Sequence, residues 1–368
     1  VALAPMDGVT DGSTRAVMSA LFGGRSGISI CVSEFVRVTR QPVPEHVFLR
    51  HCPELETGGH TAEGIPVFVQ LLGGDPLWMA RAATVAAQMG APGIDLNFGC
   101  PAKTVNNSDG GATLLRDPCR VEAVTRAVRD AVPAHIPVTP KIRVGWADAD
   151  RIVDIAKAAE QGGGSWLTIH GRTRRQGYAP PVDYGAIGRA RAAVDMPVVA
   201  NGDLFDVEAL IACAEASGCR GFMIGRGAMG RPELFAQIRG WRDGPGEGDE
   251  IRPGTRDGAT GRGPLSAVEM GGLLQRYVAR MVADGAAEGP ALGRLKQWLR
   301  MGGLSRGVAG PAASGPTPDT GFDLGAWFDA IKRERSLRAA CVLLERLSGA
   351  SPGPSPERAS GPVSPLQG

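Results

Sequence analysis

Eight short apolar segments rich in Val, Ile and Leu recur along the first two-thirds of the chain, at 1–6, 27–36, 65–73, 93–99, 138–145, 166–172, 197–203 and 221–227. Each reads as a strand. Between them lie stretches whose apolar residues return at helical spacing, including 76–90, 118–132, 149–162, 183–194 and 206–217. The strands show little alternation of apolar with polar positions, as expected of a parallel sheet covered on both faces. Eight strand–helix units in about 240 residues match a (β/α)8 TIM barrel, an α/β fold, in count and length. A doubly wound open sheet shares the alternation and is the runner-up.

The pattern changes after residue 242. Residues 243–264 are rich in Gly, Arg and Asp with few aliphatics, and read as a flexible insertion. Helical spacing returns at 266–283, 290–300 and 324–346, with a Gly/Pro/Ser stretch at 302–321 between the last two. The predicted organisation is a barrel over 1–242, then a small all-α helical domain over 265–347 interrupted by a linker at 302–321. The Pro/Ser/Gly-rich 348–368 is expected to be a disordered tail.

Composition narrows the partners more than the fold. A formal net charge of +2 over 368 residues does not announce a nucleic-acid binder, so any RNA contact must be local. Residues 265–347 carry 11 Lys/Arg against 8 Asp/Glu, a mildly basic balance. Seven cysteines, an odd number with no C-x-x-C pair, read as reduced thiols of a cytoplasmic protein. No run of about 18 apolar residues is present, so no membrane contact is expected. Val1 already lies in an apolar segment, and the native chain is expected to begin a few residues upstream. Only five of the 40 Lys+Arg residues are lysines, which makes each worth weighing.

Barrels keep their chemistry at the C-terminal ends of the strands. Here those ends read Pro5-Met6-Asp7, Glu34 to Arg37, Gln70, Asn97 to Cys100, Lys141 with Arg143, His170 with Arg172, Asn201-Gly202-Asp203 and Gly225-Arg226-Gly227. Nearly every one offers a polar side chain to a heteroaromatic ring or a phosphate. Gly225 to Gly230 has G-x-G-x-x-G spacing, yet the acidic residue of a dinucleotide fold has no counterpart in the Gly-rich 243–249. A single phosphate at a helix N-terminus, beside Asn201-Gly202-Asp203, fits better and points to a mononucleotide, FMN. Lys141 then suits the N1/O2 edge of a flavin, where a cation stabilises the reduced ring. His170 is a candidate donor to flavin or phosphate.

The densest stretch is Asn97-Phe98-Gly99-Cys100-Pro101-Ala102-Lys103. A lone cysteine is more often a packing residue than a reactive one. Cys100, however, sits in a Gly-x-Pro bend flanked by an amide and a lysine. A thiol with a pKa near 8.5 is mostly protonated at neutral pH and can serve as a general acid. A hydride donor plus a thiol acid describes reduction of a polarised C=C bond. Phe98 has no evident role in that chemistry, and no metal site is indicated.

The runs Ala4-Pro5-Met6-Asp7-Gly8-Val9-Thr10-Asp11, Asp95-Leu96-Asn97-Phe98-Gly99-Cys100-Pro101, Lys141-Ile142-Arg143, Ile169-His170-Gly171-Arg172-Thr173 and Ile224-Gly225-Arg226-Gly227 together resemble the flavin-dependent tRNA-dihydrouridine synthases. The resemblance spans about residues 1–300. Ser33-Glu34-Phe35-Val36-Arg37-Val38, the Cys100–Lys103 run and Arg294-Leu295-Lys296-Gln297-Trp298-Leu299 resemble the bacterial C-type subfamily. The resemblance implies an FMN barrel with a helical tRNA-binding domain, reducing the C5=C6 bond of a D-loop uridine, U16. Hydride would pass from FMNH2 to C6 and a proton from Cys100 to C5, with NADPH re-reducing FMN. Pro5, Met6, Asp7, Gln70, Lys141, His170, Asn201, Gly202, Asp203, Gly225 and Arg226 would hold the cofactor. Arg37, Asn97, Lys103, Tyr178, Arg294 and Lys296 would meet tRNA, and the enzyme is expected to be a monomer.

Two other classes compete. An FMN barrel oxidoreductase acting on a free small molecule, such as a dihydroorotate or ene reductase, has no need of the basic helical domain. A non-catalytic tRNA-binding barrel has no need of Cys100 and Lys141.

Overall fold

The computed structural model describes residues 1–102, 110–243, 263–307 and 321–349. Its strand segments in chain order are β1 (Ala2–Leu3), β2 (Ile30–Val32), β3 (Val36–Arg37), β4 (Val67–Leu72), β5 (Ile94–Phe98), β6 (Val138–Gly145), β7 (Leu167–Thr173), β8 (Val198–Asn201) and β9 (Gly221–Ile224). All pairings between them are parallel. β1 lies between β2 and β9, β2 joins β4, and the order then runs β4 to β9, closing the ring. An open doubly wound sheet is thereby excluded. β3 pairs with the far end of β4, so the predicted second strand is one strand interrupted at Ser33-Glu34-Phe35.

Side-chain alternation divides each strand between two environments. Leu3, Val69, Leu96, Phe98, Ile142, Ile169, Ala200 and Ile224 belong to the large buried cluster between barrel and helices. The intervening positions face the barrel axis. Ala4, Val32, Phe68 and Met223 fill its lower part as a separate apolar plug, with Ala2, Ile30, Trp166 and Val199 packed on it. Two residues on, the same inward register changes from Phe68 to Gln70 and from Val199 to Asn201. An apolar floor under a polar mouth follows directly. Phe98 is also explained, being fully buried on the helix-facing side while its neighbour Asn97 faces inward.

The outer helices begin where short acceptors can cap them. Asp75 and Asp117 precede Pro76–Gln88 and Pro118–Ala131, each accepting from a first-turn N–H ahead of a proline at the first helical position. Asp183 and Asp206 cap Tyr184–Ala192 and Val207–Ser217 in the same way.

Four helices follow the barrel and share its core: Ala267–Ala283, Glu288–Gly307, Leu324–Ile331 and Leu337–Ser348. Ala267–Ala283 packs on Gly12–Ser19, and Glu288–Gly307 packs on Arg226–Gly230. The indole of Trp298 donates to the Met229 carbonyl at 3.0 Å. Two details differ from the sequence reading. The stretch 324–346 is two helices, separated where Ser336 caps the second. The helix Glu288–Gly307 also runs well into the predicted linker. Gly302 and Gly303 are there for close packing: a Cβ would fall 2.6 Å from Leu324 Cδ1 and 2.8 Å from Gly325 Cα, respectively. Residues 308–320, the rest of that linker, lie outside the described residues, as do most of the 243–264 insertion and nearly all of the tail.

Arg294 fastens this helical layer to the barrel rim, 3.1 Å from Asp11 and 3.2 Å from Glu34. The Glu34 side chain is 6% exposed, and Arg294 is the charge set against its burial, beside a hydrogen bond from the Gly8 backbone. Arg294→Ala is expected to lower unfolding stability by about 1–3 kcal/mol, the order of a lost charge-assisted hydrogen bond to a buried carboxylate. Denaturant midpoints measure it, and an unchanged midpoint would remove Arg294 as the fastener.

Candidate active site

The polar barrel mouth opens into a cavity of about 260 Å³. Pro5, Met6 and Asp7 line it from the loop after β1, Gln70 from β4, and Asn97 and Cys100 from the end of β5. Lys141, His170, Asn201, Gly202, Asp203, Gly225 and Arg226 complete the ring from β6 to β9, with Tyr178 above them. All eleven expected cofactor residues, the expected acid and two expected tRNA contacts therefore meet in one place. A second cavity of about 470 Å³ lies to one side, between Asp148 and Asp183, and lacks thiol and lysine.

Arg143 builds the bend that carries the thiol. It is nearly buried, donates from Nε to the Gly99 carbonyl at 2.8 Å, and ties the Tyr178 loop through the Gly177 carbonyl at 2.7 Å. Cys100 is half-buried, and that burial pushes its thiol pKa up, so it is protonated at neutral pH. Lys141 reaches toward Asn201 Oδ1 at 3.4 Å. The residue keeps some exposure to the cavity, but its ammonium lies deep in the mouth. That desolvation pulls its pKa down to about 8, against the opposing pull of Asp95.

His170 is buried, and desolvation holds its pKa well below the usual histidine value, with Arg143, Lys141, Arg172 and Arg226 acting in the same direction. It is neutral at pH 7. Its Nδ1 has no hydrogen-bond partner among the described residues, a buried polar atom left for a ligand. Around Asp203, Arg172 makes a two-pronged ion pair and Arg226 adds a contact at 2.5 Å. Two guanidiniums against one carboxylate leave this corner positive. Gly225 precedes the short helix Arg226–Gly230, and at Gly227 a Cβ would fall 2.1 Å from the Leu204 carbonyl. Glycine is required there for the turn to reach the cavity.

This donor set fits a flavin. Lys141 and Gln70 would suit a polar ring edge, the orphaned His170 nitrogen offers a further partner, and the positive corner would suit an anionic group. When bound, a flavin would supply hydride chemistry at the ring.

Other expected contacts lie elsewhere. Arg37 is half-buried on β3 and does not line the cavity. Arg294 pairs with Asp11 and Glu34, and Lys296 donates to the Glu334 carbonyl at 2.6 Å, and neither lines the cavity. Lys103 lies outside the described residues. Conversely, Gln297 and Met301, on the helix Glu288–Gly307, reach the cavity from the helical layer. Their spacing of four places both on one helix face, but nothing in sequence alone says that this face looks into a barrel.

Among the described residues no helix is long and apolar enough to cross a membrane. The sequence model of the family described as dihydrouridine synthase (Dus) matches residues 2–245. The tRNA-dihydrouridine(16) synthase of Salmonella typhimurium is 47% identical over 300 residues, covering 81% of this chain and 88% of that protein. Those of Cupriavidus necator and Escherichia coli K12 are 44% and 41% identical, each over 81% of this chain and covering 86% and 87% of theirs. With the matched region coinciding with the barrel and its polar mouth, the chain belongs to the dihydrouridine synthase family.

Proposed function

We propose that this protein reduces the C5=C6 bond of uridine 16 in the D-loop of tRNA, with FMN bound in the barrel and NADPH as reductant, as a cytoplasmic monomer. The observation that carries the reading is one cavity that joins a protonated thiol, a desolvated ammonium and an orphaned imidazole nitrogen. Relatives named for position 16 support the choice of uridine. Pro5, Met6 and Asp7 line the ring, and Gln70 and Lys141 hold its polar edge. His170, Asn201, Gly202, Asp203, Gly225 and Arg226 hold the ribityl chain and phosphate. Cys100 delivers its proton to C5 of the pyrimidine while C6 accepts hydride, and Asn97 orients the base.

The target uridine must leave its tRNA fold to reach so deep a site. Tyr178 is 59% exposed at the mouth, with the guanidiniums of Arg226 and Arg143 at 4.9 Å and 5.5 Å from its ring. An exposed aromatic backed by arginines is a stacking platform for an extruded base. Arg37 and the helical layer over 265–347 extend the surface for the rest of the tRNA, with Lys103 a further contact. Because those helices share the barrel core, deleting them would strip the barrel as well, so the test uses the full chain. Expression in a strain lacking its own position-16 activity is expected to restore dihydrouridine at position 16. Restoration only at other D-loop positions would move the specificity, and restoration at none would refute the reading.

A further inference from the structure

Beneath the cavity floor runs a chain of hydrogen bonds ending on Asp95, which does not line the cavity. Thr139 Oγ1 donates to Asp95 Oδ1 at 2.8 Å, and Gln70 Nε2 donates to Asp95 Oδ2 at 2.7 Å. Asn97 Nδ2 donates to Gln70 Oε1 at 2.9 Å, and the Gly99 N–H donates to Asn97 Oδ1 at 3.1 Å. Asp95 and Gln70 are each 1% exposed, while Gln70 and Asn97 both reach the cavity.

The direction of every bond is forced. A side-chain amide fits its site equally well in two orientations, which exchange donor for acceptor. An ionised carboxylate only accepts, so Gln70 must turn its NH2 toward Asp95 and its oxygen toward Asn97. A backbone N–H only donates, so Asn97 must turn its oxygen toward Gly99, next to Cys100. The two ends agree, and the remaining donors and acceptors of both amides face the cavity in one arrangement.

We propose that Asp95 is a positioning residue of the active site: as the acceptor that anchors Gln70, it sets the donor and acceptor pattern that Gln70 and Asn97 present to the ring above them. The inference rests on the uridine-reduction reading. Burial raises the Asp95 pKa to about 6, so it is mostly ionised at neutral pH, with Gln70, Thr139 and Lys141 as the groups that oppose the shift.

Three isosteric variants test it. Asp95→Asn keeps an oxygen for Gln70, while its new NH2 can donate to the Thr139 hydroxyl, which accepts as well as donates. Single-turnover uridine reduction should stay within about threefold of wild type, since a satisfied pair couples weakly to further change. Gln70→Glu sets acceptor against acceptor, and the rate should fall about tenfold or more. Combining the two restores a donor facing an acceptor, and the pair should recover about fivefold or more over Gln70→Glu alone, a coupling that independent roles cannot produce. The melting temperature of the flavin-free proteins should follow the same order, lowest for Gln70→Glu and regained in the pair. A double variant no faster than Gln70→Glu would overturn the proposal. So would a tenfold loss in Asp95→Asn alone, which would make the charge of Asp95, rather than its anchoring of Gln70, what uridine reduction depends on. A wild-type protein that forms no dihydrouridine would instead refute the uridine reading, leaving the melting temperatures to judge Asp95.

Discussion

Replacing Cys100 by alanine is expected to abolish uridine reduction while leaving flavin content and NADPH oxidation within about twofold of wild type. The loss should reach about 10²–10⁴-fold, the contribution of a positioned general acid. Several observations make the thiol an acid rather than a nucleophile. Burial raises its pKa, and the Arg143 guanidinium beside it pulls the other way but does not prevail. Among the described residues no imidazole is hydrogen-bonded to it, and the Nδ1 of His170 is itself without a partner. The thiol is placed by its backbone: Arg143 holds the Gly99 carbonyl, and the Ala112 N–H donates to the Cys100 carbonyl at 3.3 Å. Alanine preserves that backbone and removes the proton alone. Cys100→Ser would keep a hydroxyl that is a far weaker acid, and should fall between the two. The measurement is dihydrouridine formed in a single turnover by pre-reduced enzyme. An unchanged yield from Cys100→Ala would end the acid assignment, whereas loss of flavin would make the residue part of the binding site.

Much of this site is legible because strands alternate. Once eight strands are read, every second residue faces the axis, and Gln70, Asn97, Lys141, His170 and Asn201 fall on that register at the strand ends. The closure of the ring was less legible, since repeating β–α units are shared by open sheets; it is β2 pairing with both β1 and β4 that decides it. Asp95 and Thr139 follow the same inward register one step lower, where a sequence reading expects packing residues. Their role depends on which amide each touches, and that is a matter of ångströms. Arg294 and Lys296 show what sequence leaves out in the other direction. A basic residue on a helix reads as a nucleic-acid contact, while its partners within the fold, Glu34 and the Glu334 carbonyl, are far away in sequence. Gly302 misled for a related reason: close helix packing and a linker both call for glycine. Gln297 and Met301 were out of reach because the docking of one layer on another leaves no local pattern.

Lys141→Met should retain the fold and slow flavin reduction by about tenfold to a hundredfold, equivalent to about 1.4–2.7 kcal/mol of lost stabilisation. Methionine matches the length of the lysine stem and carries no charge, so the packing of β6 against β5 and β7 is preserved. What disappears is a cation in a site where water cannot substitute for it. Desolvation has already lowered its pKa to about 8, which means the lysine is held charged at a cost that only an anionic partner offsets. Asp95 supplies part of that partner from below. Negative charge gathering on a reduced ring edge would supply the rest, and would move the pKa upward again. The sign of the pH dependence follows. The ammonium form prevails below its pKa, so in wild type the reduction rate should decline as pH rises through about 8 or somewhat above, and Lys141→Met should lack that decline. Stopped-flow absorbance of the flavin band during NADPH reduction measures both quantities. A variant that is reduced at the wild-type rate, with the wild-type alkaline limb, would place the cation's purpose in folding rather than at the ring.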